Sequence, residues 1–232
     1  MPATRSAFSA RVIVQMLLIV VLLPILPLLI TRQWGWWEAW VYALLSILGF
    51  FVSRLLAARR HPDLLAERAR SLSAEGAKPW DRWLAPLVGV GGGLVPVVAG
   101  LDRLLAASPS FAAPLKAVAL VVLIAAYALG TYALMENRFF SGVVRIQTDR
   151  GHHVVTGGPY RWIRHPGYVG GILAYAAAPL LLDSWWALLP ALALTALLVV
   201  RTHLEDRTLH EELPGYREYA GRVRYRLLPG VW

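Results

Sequence analysis

The feature that most constrains this chain is its series of apolar blocks, each close to one bilayer thickness and separated by basic stretches. A helix rises about 1.5 Å per residue, so roughly 20 apolar residues cross a hydrocarbon core about 30 Å thick. Six segments read as long helices: residues 11–30, 37–56, 83–105, 114–135, 167–182 and 184–204. Pro24 and Pro27 are expected to kink the first. Gly89, Gly91, Gly92 and Gly93 leave room for close helix approach in the third. Asp183 or Ser184 is expected to cap the sixth. The fifth segment would rise only about 24 Å, so it and the sixth are expected to form a tight hairpin that need not cross the bilayer fully. The first block is longer than a signal-peptide core and has no small-x-small site after it, so it is expected to be a retained helix. Only 16% of the 232 residues are charged, against about 25% in soluble domains. The expectation is therefore an all-α integral membrane protein of one domain, with four transmembrane helices in 1–135. A loop, the hairpin and a polar C-terminal segment occupy 136–232.

Charge tests that partition. Of 23 basic residues, all but Arg32, Arg103 and Lys116 fall in stretches that an alternating six-helix path places on one side. The positive-inside rule makes that side cytoplasmic, together with both termini, in a bacterial-type inner membrane. In a soluble chain a net charge of +9 would point to nucleic acid. Here the charge flanks apolar blocks, so membrane lipids are the expected partner and nucleic acid is not. Cysteine is absent, which excludes disulfides, thiolate metal sites and a cysteine nucleophile. Trp34, Trp36, Trp37, Trp40, Trp185 and Trp186 read as anchors at one interface, and Trp80 and Trp83 at the other. The loop at 57–81 alternates charge with Leu and Ala. It reads as an amphipathic helix on the cytoplasmic leaflet or as a solvated loop.

Reactive side chains concentrate in 152–171, HHVVTGGPYRWIRHPGYVGG. A residue before proline is pushed out of the helical region, and Pro166 suits a first helical turn. His165 should therefore sit just outside a helix N-terminus, where free N–H groups and the helix dipole favour an anion. Arg164 and His165 would assist, or would contact lipid headgroups. Gly157-Gly158 permits unusual backbone geometry, but the spacing is wrong for a phosphate loop. Arg201 and Glu205 share a helix face at i, i+4, which fits either a functional pair or a surface salt bridge. Residues 205–213 read as a charged helix ended by Pro214-Gly215, with Leu209, Leu213, Tyr216 and Tyr219 packed inward. His152 and His153 are adjacent, and His203 and His210 lie seven apart near Asp206. No spacing makes a specific metal site, and no metal is expected.

These motifs resemble the isoprenylcysteine carboxyl methyltransferases and their bacterial relatives. The resemblance rests on His153-Val154-Val155-Thr156-Gly157, then Gly158-Pro159-Tyr160-Arg161, then Arg164-His165-Pro166-Gly167-Tyr168-Val169-Gly170. It continues with Arg201, Glu205-Asp206, Leu209, Gly215-Tyr216, Tyr219, Arg222-Val223 and Pro229. It covers roughly the last ninety residues; the first 110 match only as generic membrane helices. It implies a membrane methyltransferase that uses S-adenosyl-L-methionine on a lipophilic or small acceptor: a carboxylate such as isoprenylcysteine, a thiol or an amine. By matching position, His153, Val154, Val155, Gly158, Tyr160, Arg164, His165, Pro166, Tyr168 and Glu205 would bind the cofactor. Arg201 and Glu205 would be the catalytic pair, with Arg201 orienting the acceptor. Asp206 stands where the family commonly has a second Glu, and Leu213-Pro214-Gly215 where Phe-Gly is usual. Membrane sterol reductases, which use NADPH, carry a related Arg-His-Pro-x-Tyr stretch, and Tyr225-Arg226-Leu227-Leu228-Pro229-Gly230 echoes their C-terminus. Gly167 before Tyr168, and Gly170-Gly171 after it, set this chain apart from them. A non-catalytic lipid-binding protein on the same fold is the remaining alternative.

Overall fold

The structure, a computed structural model, describes residues 17–70 and 76–232. Arg5 and Arg11, expected ahead of the first segment, lie outside the described residues. A π-helical turn at Leu18–Leu22 runs into α1, Leu23–Thr31. Then follow α2 (Trp37–Arg60), α3 (Leu64–Arg70), α4 (Asp81–Gly91), α5 (Leu94–Leu104) and α6 (Ala113–Glu136). After a long loop come α7 (Pro166–Leu181), α8 (Leu188–Glu212) and α9 (Tyr216–Arg222). The described residues contain no strand. Four helices are long and apolar enough to cross a membrane: Trp37–Arg60, Asp81–Leu104 (α4 with α5), Ala113–Glu136 and Leu188–Glu212. Leu18–Thr31 and Pro166–Leu181 are apolar but shorter. Helix is found in all six apolar segments among the described residues, and four of them contain a helix of spanning length.

Small residues set the packing. Cβ atoms added at Gly91 and Gly93 would come within 2.8 Å of Leu194 and 2.7 Å of Leu23. Gly92-Gly93 also marks the break between α4 and α5. The closest backbone approach is between α6 and α7, where a Cβ at Gly170 would lie 2.8 Å from the Ala126 carbonyl oxygen. Without a hydrophobic drive between helices in lipid, such backbone proximity supplies the van der Waals contact that holds them. Leu28, Ala39, Val95, Leu123, Leu181 and Leu194 form the buried core. Trp36 joins it at 2% exposure, with the Arg103 guanidinium 4.5 Å from its ring centre. It is therefore a core residue rather than an interfacial anchor; Trp34 and Trp37 remain exposed.

The end of the bundle away from the long loop is stitched by buried polar contacts. Lys116 bridges Glu38 (2.6 Å) and Asp183 (3.1 Å). Asp183 adopts a left-handed backbone (φ 55) and accepts from the Phe111 N–H at 2.7 Å. Asp102 accepts from Ser108 and Ser184. Two of the three basic residues on this side, Lys116 and Arg103, thus have structural partners. The cap expected at Asp183 or Ser184 lies earlier than the helix. Ser184 Oγ accepts from the Ala187 N–H at 3.0 Å in a separate turn, and α8 starts at Leu188. At its other end α8 continues without interruption from apolar residues through the charged stretch to Glu212. Nothing between 204 and 213 stops a helix; Pro214-Gly215 does. In the 57–81 region, residues 71–75 lie outside the described residues. Its helix, α3, has seven residues and packs on protein, with Leu64 buried against Ala57 and Leu134.

Candidate functional site

The loop at 137–165 is fastened before it reaches its chemistry. Arg145 grips Glu67 of α3 in a two-pronged ion pair (2.8 and 2.8 Å) and also reaches Asp149. Arg150 and Arg138 both bind Asp63, holding its carboxyl down at about 2. Gln147 donates to the Phe139 carbonyl at 2.7 Å. These bonds fold residues 139–147 into a wall. His152 lies tilted against Phe139 with ring centres 4.5 Å apart, and its Nδ1 accepts from the Gln147 N–H. Burial first, then the positive charge of His153, Arg145 and Arg150, lowers the His152 pKa to about 4, so it is neutral at pH 7.

At α7, His165 precedes the helix in a non-helical conformation and Pro166 takes the first turn. The anion beside them is the chain's own. Asp206, fully buried on α8, accepts from Arg164 (2.8 and 3.1 Å), His165 (3.2 Å), Arg226 (2.7 Å) and the Tyr216 hydroxyl (2.8 Å). Arg164 also donates to the carbonyls of Val223 and Arg224, and its N–H to that of Tyr225. The C-terminal segment is therefore buttoned onto the pre-helix loop through one carboxylate. Two guanidiniums against one carboxylate leave the cluster net positive. Tyr219 closes the same seam by donating to the Tyr160 carbonyl at 2.7 Å.

Opposite stand Arg201 and Glu205. Arg201 is held by Asp81 at the start of α4 (2.7 and 2.9 Å) and donates to the Gly142 carbonyl. Asp81 is fully buried and also accepts from the Val144 N–H at 2.5 Å. Its place in a first helical turn suits a carboxylate. The Tyr168 hydroxyl donates to Glu205, and the Arg201 guanidinium lies 5.5 Å from the Tyr168 ring centre. Between these walls is a cavity of about 100 Å³. His153, Val154, Val155, Tyr160, Arg164, His165, Tyr168, Arg201 and Glu205 all line it.

Two expected residues do not line it. Gly158 is buried at φ 52 against Tyr132 and Glu136, and Pro166 starts α7. Sequence reasoning missed Asp81, the wall at 139–147 and the fastening role of Asp206. The one available signal was Asp206 as the departure from the family pattern. Among the described residues no group of three His, Asp or Glu is arranged to hold a metal.

The site coincides with a recognisable region. Residues 117–211 match the model of the isoprenylcysteine carboxyl methyltransferase (ICMT) family. The match covers less than half of the chain, which over that stretch is similar to the ICMT family. The ICMT-family region runs from within α6 through the wall, the His165 turn and α7 to the charged end of α8. The lamin-B receptor of Drosophila melanogaster is 28% identical over 103 residues. That covers 42% of this chain and 14% of the receptor, so the chain spans only a small part of that relative's length. The ICMT-family region supplies most of the cavity. Asp81, which holds Arg201, and the segment after Glu212 come from outside it.

Proposed function

We propose that this protein is an S-adenosylmethionine-dependent methyltransferase acting on a lipophilic or small acceptor at the cytoplasmic membrane face. The observation that carries the reading is the cavity itself. It lies at the polar end of a membrane helix bundle, within an ICMT-family region, and offers opposite charges on opposite walls. The residues suit the cofactor. The net-positive Arg164–His165 wall is matched to the methionine carboxylate. Glu205, whose hydrogen-bond partner is neutral Tyr168, is matched to an ammonium or to ribose hydroxyls. His153, Val154, Val155 and Tyr160 supply apolar and aromatic surface beside them. When bound, S-adenosylmethionine supplies an electrophilic methyl group on a sulfonium.

The chain's task is then positioning, which contributes up to about 7–11 kcal/mol to such displacements. A carboxylate or thiolate acceptor is already a nucleophile and needs no general base. Arg201, fixed by Asp81, is the residue we assign to orienting the acceptor. The Gly pattern that separates this chain from reductases in sequence has a packing explanation here. Gly167 abuts the Phe140 ring and Gly170 abuts α6. Cofactor binding, rather than those glycines, therefore discriminates the two readings. The test is incubation of the purified protein with radiolabelled S-adenosylmethionine and membrane extract. A labelled lipid-soluble product that disappears with Glu205→Gln supports the proposal; no transfer to any lipid, thiol or prenylcysteine opposes it.

A further inference from the structure

The segment after α9 and the turn before α7 form one exposed surface that the cavity does not use. The Arg164 N–H bonds the Tyr225 carbonyl and the His165 N–H bonds the Arg226 carbonyl. This pairing joins the turn that carries Arg161 and Trp162 to the segment that carries Arg222, Arg224 and Tyr225. Trp162 is 67% exposed, Leu228 55% and Val231 77%. Arg161, Arg222 and Arg224 are exposed and form no ion pair with any carboxylate among the described residues. The combination is a bare basic and apolar face.

Its depth follows from α7. That helix has 16 residues and rises about 24 Å, less than a hydrocarbon core of roughly 30 Å. An apolar helix that short keeps both ends within or against the interface. Trp162 lies four residues before its start, at the level where indole rings and arginines meet headgroups.

We propose that this face docks onto the anionic headgroup layer of the leaflet around the bundle, and that docking holds the C-terminal wall of the cavity in place. The arm runs directly on from α9, whose Tyr216 and Tyr219 line the cavity, and is tied back through Arg164 and Asp206. Trp162, Leu228 and Val231 enter the interface while the three arginines meet lipid phosphates. Each arginine near an anionic surface contributes enough for roughly a fivefold effect. Together they predict about a hundredfold.

The test is hydrogen–deuterium exchange of residues 222–232 in lipid nanodiscs, which reads the arm without any cofactor. Nanodiscs of phosphatidylcholine alone are compared with nanodiscs containing phosphatidylglycerol. The expected result is at least tenfold slower exchange in the anionic discs, lost when Arg161, Arg222 and Arg224 are all replaced by Gln and weakened by high salt. Equal exchange in both lipids for the unaltered chain overturns the proposal, as does a lipid effect that survives the triple substitution. Because no methyl transfer is measured, failure here is separate from failure of the enzymatic reading.

Discussion

Replacing Asp206 with Asn removes one negative charge and little else. The side chain is fully buried and receives Arg164, His165, Arg226 and the Tyr216 hydroxyl. Arg164 is itself buried, so the substitution leaves a guanidinium without its counter-ion in a low-dielectric setting. Breaking a buried pair from one side costs about 3–5 kcal/mol. One of the two Asn atoms is also a donor aimed at donors. Asp206→Asn is therefore expected to lose about 3–5 kcal/mol in reversible unfolding in detergent. Exchange of residues 223–232 should rise more than exchange of the α6–α7 pair. Asp206→Glu keeps the charge and adds a methylene to a filled site, so about 1–3 kcal/mol is expected. A loss below about 1 kcal/mol for Asp206→Asn, the size of an exposed ion pair, would refute the idea that this carboxylate fastens the C-terminal segment.

Three further outcomes are expected. Gly170→Ala should destabilise the fold by about 1–3 kcal/mol, because its Cβ meets backbone of α6. Gly89→Ala, with nothing within 4 Å, should be neutral or stabilising by up to about 1 kcal/mol; equal effects would contradict the packing role. Arg201→Met should cost about 3–5 kcal/mol by stranding buried Asp81, and Arg201→Met with Asp81→Leu should recover most of it. Additive losses in that double-mutant cycle would argue against the pair. Finally, His152 has a native pKa near 4 against an ordinary 6.5, so the unfolded chain binds more protons between those values. Stability should therefore fall as pH drops from 6.5 towards 4, and His152→Gln should flatten that part of the curve; an unchanged slope would exclude the histidine.

The parts of the fold that were legible from sequence are those set by local patterning. Apolar length located the helices of the bundle, four of them long enough to cross a membrane, and Pro166 after His165 marked the start of α7 to within one residue. Clustering of His, Tyr, Arg and Gly at 152–171 marked the region that supplies much of the cavity. What sequence hid were contacts that depend on the assembled bundle. Asp81 and Arg201 are 120 positions apart, and the order of residues carries no signal that pairs them. Trp36 resembled its interfacial neighbours until Arg103 and the core closed around it. The end of α8 was misjudged because apolarity stops near 204 while helical continuity does not. The anion expected from outside at His165 was met first by Asp206, a neighbour only after α7 and α8 pack.

The most direct measurement of the central claim is calorimetric titration of the purified protein in nanodiscs with S-adenosylhomocysteine and, separately, with NADPH. The account predicts saturable binding of S-adenosylhomocysteine that Glu205→Gln weakens at least tenfold, a loss of about 1.4 kcal/mol, and no binding of NADPH. Selective binding of NADPH, with none of S-adenosylhomocysteine, would contradict it.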